Sequence, residues 1–211
     1  MSSRAATGPP RMTDTTAAPP FDLGPQTLIV ARLADGVRDE QLADGTPCPG
    51  CAVRNMLGHL TGLAVAFRDA ARKDLGPMTD TPPDAAAPEI GPGWREELAK
   101  ALDELADAWR DPAAWTGMTR AGGVDLPGEV AGAVVADELV IHGWDLARAT
   151  GQAYTPDPAA LAAAHGFLAA AAARGEPGSG VFGPVVPVPD DAPLLDRAVG
   201  LSGRDPGWTR G

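Results

Sequence analysis

Side chains that bind divalent cations are concentrated in one apolar stretch, DELVIHGWDLARAT. Glu138 and His142 lie four residues apart, and Asp145 follows three residues later. On a helix these intervals bring side chains to one face, here the face that also carries Val134 and Ile141. The rest of the stretch (Val130, Ala131, Val135, Leu139, Val140, Trp144 and Leu146) is apolar nearly all round, which predicts a helix buried on several sides. A carboxylate in such surroundings is costly unless it is paired or bound to a cation. A Glu and a His one turn apart form a two-ligand clamp for a divalent ion, and helix bundles complete such sites from a facing helix. His59 is the candidate third ligand, because it borders an apolar stripe on an earlier helix beside Met56 and Leu63. The same spacings also suit a surface ion pair between Glu138 and His142, with His59 a satisfied core histidine. The lack of a wide solvent-facing side on the Glu138 helix weighs against that reading.

Two imidazoles and one carboxylate leave coordination positions open, unlike structural zinc sites with four protein ligands. An ion held this way would lower the pKa of a bound thiol or water and hold the nucleophile against an electrophile. Zinc suits the ligand set first, and Fe(II) and Ni are also compatible. Asp145 could accept a hydrogen bond from an imidazole N–H, or pair with Arg148 three residues on. Arg54 and Arg148 are candidates for a substrate carboxylate. Cys48 and Cys51 form a C-x-x-C ahead of a helix start, where a thiolate is favoured and a redox pair is conceivable. A lone C-x-x-C is weak evidence and no thioredoxin-like strand–helix–strand pattern surrounds it, which favours two ordinary reduced cysteines. His165 sits among alanines and reads as a packing or surface residue.

The elements that must position these groups are helical. Ile29, Leu33 and Val37 are spaced by four in a first helix from about Pro25 to Val37. Val53, Met56, Leu57, Leu60, Leu63, Ala64 and Phe67 make one stripe on a second, reaching about Arg72. A Pro- and Asp-rich linker, roughly Gly76 to Gly91, precedes a third helix. That helix starts near Pro92, carries Trp94, Leu98, Leu102, Leu105 and Trp109 on one face, and stops before Asp111-Pro112. The fourth follows Pro127 and runs to about Thr150, closed by Gly151. A fifth spans about Asp157 to Arg174, and a short one Pro193 to Leu201, with a proline-rich extended segment between them. No segment shows strand alternation. The class expected is all-α: a four-helix bundle with an extra C-terminal helix and a Pro-rich extended tail.

Of the 211 residues, 1–20 read as a disordered leader and 21–211 as a single helical-bundle metal-binding domain. The formal net charge of -11 repels phosphate backbones and anionic lipid, which argues against nucleic-acid and membrane partners. No apolar run is long enough to span a bilayer, and no secretory pattern opens the chain, so a cytoplasmic location is expected. A homodimer is compatible with such a bundle.

The segments TPCPGCAVRNMLGHLTG and ELVIHGWDLARATGQ, followed by FGPVVPVPDDAPLLDRAVGLSGRDP, carry a family likeness. They resemble the short members of the mycothiol-dependent maleylpyruvate isomerase / DinB-like metal-binding group, and the likeness runs from about Phe21 to Pro206. It implies an up-down-down-up bundle and a divalent metal held by one His of the second helix and the Glu and His of the fourth. Those map onto His59, Glu138 and His142. It also implies a low-molecular-weight thiol such as mycothiol as cosubstrate, in S-transfer to, or isomerisation of, a small electrophilic substrate. The alternative is a non-catalytic, stress-associated metal-binding module. Two departures stand out. The family usually has a large aromatic where this chain has Cys51, and the residues after the fourth helix look too few and too proline-rich for the isomerase's C-terminal domain. The second departure argues against maleylpyruvate as substrate.

Overall fold

The computed structural model describes residues 18–82, 88–175 and 183–210. Nearly all of the expected leader, the centre of the Pro- and Asp-rich linker and most of the GEPGSG turn lie outside them. Among the described residues the chain forms seven α-helices and one two-stranded sheet. They are α1 (Gly24–Asp35), α2 (Val53–Arg72), α3 (Pro77–Asp80), α4 (Trp94–Trp109), α5 (Gly128–Thr150), α6 (Pro158–Ala173) and α7 (Leu194–Leu201). None is long and apolar enough to cross a membrane.

The four long helices expected from periodicity are present. α4 packs on both α1 and α2, and α5 packs on the same two. The α2 stripe supplies Val53, Met56, Leu57, Leu60, Leu63, Ala64 and Phe67 to the core, and α4 answers with Trp94, Leu98, Leu102, Leu105 and Trp109. Two indole N–H groups tie the end of this layer down. Trp109 Nε1 donates to the Phe67 carbonyl at 3.1 Å, and Trp115 Nε1 to the Trp109 carbonyl at 2.8 Å. Outside the core, Arg68 of α2 pairs with Glu104 of α4 at 2.7 Å.

α5 is apolar on several sides because α1, α2 and α6 all lie against it. Val130, counted with the buried set from its type, is exposed in the first turn; beyond it no residue of α5 is exposed. Side chains from outside reach its backbone: Gln26 Nε2 donates to the Leu139 carbonyl at 3.1 Å, and the Tyr154 hydroxyl to the Val140 carbonyl at 2.7 Å. Asp157 caps α6 by accepting from the N–H groups of Ala159 and Ala160.

The expectation of no strands is corrected. β1 (Met118–Ala121) and β2 (Val124–Pro127) pair antiparallel, with Ala121 opposite Val124. The two-residue loop Gly122-Gly123 has φ of +61° and +75°, the left-handed pair that a twisted two-residue hairpin turn needs. Four-residue strands are too short to show a period. The hairpin is docked by the buried Thr119 hydroxyl, which donates to the Ala70 carbonyl at 2.5 Å, and by Gly123 N–H, which donates to Thr79 O at 2.9 Å. Thr79 belongs to α3, a single turn inside the segment expected to be linker. The end of the described chain folds back onto α5: α7 packs on α6, and residues 204–210 reach Asp145, Arg148 and Ala149.

Candidate metal centre

His59 faces α5 from the border of the α2 stripe, three residues after Met56 and one before Leu60, both fully buried. Its Nε2 lies 3.2 Å from Glu138 Oε2. His142 Nε2 approaches the same oxygen at 3.0 Å, one helical turn along α5. One ligand atom from each of the three residues falls within 4.8 Å of the other two, so a single cation could be shared by all three. The imidazoles meet edge to face, with ring centroids 4.8 Å apart. Side-chain exposure falls from 34% at His59 to 17% at Glu138, 12% at His142 and 0% at Asp145. The cluster therefore opens to solvent on the His59 side and is sealed behind.

The sealed side is built by Asp145 and an arginine that spacing could not reveal. Asp145 Oδ2 lies 2.9 Å from His142 Nδ1. Arg204 brings Nη2 to Asp145 Oδ2 at 3.0 Å and Nε to Oδ1 at 3.3 Å, and its Nη1 donates to the Ser202 carbonyl at 3.1 Å. Of the two readings of Asp145, the imidazole acceptor is the one the structure builds. The expected partner Arg148 turns away, stacking over Trp144 and donating to the Trp208 carbonyl at 2.5 Å. Arg54 donates to the Leu42 carbonyl at 3.4 Å. Neither arginine joins the cluster among the described contacts. No local signal marks Arg204, since it is 59 residues from Asp145.

Burial alone would push the Glu138 carboxyl up, but hydrogen bonds from His142 and His59 outweigh it and hold the group well below the usual carboxylate range. Burial likewise disfavours charge on His142, yet Asp145 and Glu138 raise its pKa to about 10. Asp137 is different. It is fully buried, its Oδ1 has no hydrogen-bond partner among the described residues, and burial plus the neighbouring Glu138 charge push its pKa far up.

Cys48 and Cys51 are free, half-buried thiols just ahead of α2. His165 lies on α6, where partial burial and Arg197 lower its pKa, and it stays apart from the cluster, as expected.

The family profile described as the mycothiol maleylpyruvate isomerase N-terminal domain matches residues 23–147, well over half of the chain. The chain belongs to that family. Both histidines and the glutamate of the cluster fall inside the matched span. Two uncharacterized proteins of Mycobacterium tuberculosis, from strains CDC 1551 / Oshkosh and ATCC 25618 / H37Rv, are each 27% identical over 183 residues, covering 85% of this chain and 93% of theirs. In fold the chain is similar to the crystal structure of the mycothiol-dependent maleylpyruvate isomerase, with a TM-score of 0.60 at 16% identity over 86% of each chain. A histidine-to-alanine variant of that enzyme aligns with a TM-score of 0.53 over 68% of this chain and 65% of its own.

Proposed function

We propose that this protein is a divalent-metal-dependent enzyme that uses a low-molecular-weight thiol of the mycothiol type in S-transfer to, or isomerisation of, a small electrophile. The observation that carries the reading is the convergence of His59, Glu138 and His142 within 4.8 Å, from two helices, inside a family named for a mycothiol-dependent isomerase. His59, Glu138 and His142 would hold the ion, with zinc favoured over nickel or iron on ligand type. When bound, the ion would supply Lewis acidity that favours the thiolate over the thiol. Asp145 accepts from His142 Nδ1 and so fixes the tautomer that presents Nε2. Arg204 holds the Asp145 carboxylate in place. Glu138, held ionised, offers the anionic ligand, and the half-exposed His59 side is where thiol and substrate would enter. The up-down-down-up order, a single domain over 21–211 and a cytoplasmic setting belong to the same reading.

Elemental analysis of the purified protein beside Glu138→Gln and His142→Ala tests the site, and thiol consumption with mycothiol and an electrophile tests the reaction. The expected result is a bound divalent metal that both substitutions remove, together with thiol consumption that needs it. Metal content untouched by either substitution would overturn the site. Metal that raises the melting temperature without any thiol consumption would favour the non-catalytic module instead.

A further inference from the structure

Ahead of α2 the chain makes a tight turn whose two ends are both thiols. Cys51 N–H donates to the Cys48 carbonyl at 3.1 Å, and Gly50 has φ of +72°. Pro49 occupies the first central position and Gly50 the second, as a type II turn requires: proline presets φ, and the next residue must be left-handed. A β-turn holds its first and fourth Cα atoms within about 7 Å. The turn therefore brings its two thiol-bearing ends together, and the Cys51 thiol donates to the Ala52 carbonyl at 3.6 Å. The turn is pinned from outside. Thr46 Oγ1 donates to the Cys51 carbonyl at 2.8 Å and accepts from Cys48 N–H at 3.2 Å, and Thr46 N–H donates to the Cys51 carbonyl at 3.0 Å. Both sulfurs remain half-buried, within reach of a small molecule.

The two thiols are not equivalent. The adjacent Cys51 thiol lowers the Cys48 pKa to about 6, against the effect of burial and with help from the Arg204 charge. The adjacent Cys48, together with burial, pushes the Cys51 thiol far above its ordinary value. Such a pair has one sulfur ready to attack and one that keeps its proton until needed.

We propose that Cys48 and Cys51 form a redox-active dithiol that reduces low-molecular-weight disulfides, with Cys48 attacking and Cys51 resolving. The Cys48 thiolate attacks one sulfur of the disulfide RS–SR. A Cys48–SR bond forms, the RS–SR bond breaks, and the departing RS⁻ takes a proton from water. Cys51 then loses its proton, its sulfur attacks that of Cys48, and the second RS⁻ leaves and is protonated. Two protein thiols are oxidised to one disulfide, and one small disulfide is reduced to two thiols. The step stands independently of the metal reading, because it uses no residue of the His59, Glu138, His142 cluster.

The full chain, Cys51→Ser and Cys48→Ser are treated with glutathione disulfide at neutral pH and read by intact mass and free-thiol titration. The unaltered protein should lose both thiols and the mass of two hydrogens, and dithiothreitol should restore both. Cys51→Ser should stop as a one-glutathione adduct, and Cys48→Ser should react at least about tenfold more slowly. Both free thiols surviving in the unaltered protein would overturn the proposal, as would a lasting two-glutathione adduct or a disulfide-linked dimer. The unaltered chain decides even if a serine variant does not fold.

Discussion

Nδ1 of His142 sits 2.9 Å from Oδ2 of Asp145, a carboxylate with no solvent exposure. That contact commits one ring nitrogen of His142 to a fixed acceptor and leaves the other, Nε2, directed at Glu138. The ring is oriented before any ligand reaches it.

Asp145→Asn keeps the shape of the side chain but removes its charge. It should weaken zinc binding about 10–100-fold, as loss of an outer hydrogen-bond partner typically does. Competition against a chromophoric chelator measures this. Unchanged affinity would mean that Asp145 does not orient the ligand.

Arg204 and Asp145 form a buried ion pair, and removing one partner leaves the other charge stranded. Arg204→Met should cost about 3–5 kcal/mol of stability, far above the figure for a surface pair. Urea unfolding at neutral pH reads the loss. A cost below about 1 kcal/mol would show that water reaches Asp145 readily.

Between α2 and α4, hydrogen bonds from Lys100 and then Arg68 hold the Glu104 carboxyl down to about 2, from an ordinary 4.5. A depressed folded-state pKa contributes stability above the unfolded value and loses it as pH falls through the folded one. The unaltered protein should therefore exceed Glu104→Gln by a constant margin above pH 4.5, shrinking toward nothing near pH 2. Urea midpoints across that range test it. A margin independent of pH would assign the effect to packing.

Gly132 of α5 lies under the Trp115 ring, which a Cβ at that position would strike. Gly132→Ala should lower stability by about 1–3 kcal/mol, as overpacking does in a filled core. Thermal melts decide it: an unshifted midpoint would show that the indole can move aside.

The long helices were legible because burial writes itself into a sequence at the helical period. The α2 stripe and the all-round apolarity of α5 each announced how many neighbours the helix would meet, and α5 is indeed covered by α1, α2 and α6. The pairing of Glu138 with His142 was legible for the same reason, and His59 stood out by bordering a stripe. Short elements were not legible. The β1–β2 hairpin rests on Gly122-Gly123, and α3 on one turn after Gly76, too little for any period. Arg204 was invisible because an isolated arginine carries no local pattern, and only the chain's return across α5 brings it to Asp145. Arg148 misled for the converse reason. Its three-residue spacing from Asp145 was favourable, but the Trp208 carbonyl offered it a better partner.

The bonds that complete the cluster join residues 59 and 79 positions apart. Contacts of that span close long loops, so the chain must surrender loop entropy before they repay it. The acid–imidazole array thus exists only where α2, α5 and the returning end of the chain are packed together, and no single helix carries a grip on an ion by itself.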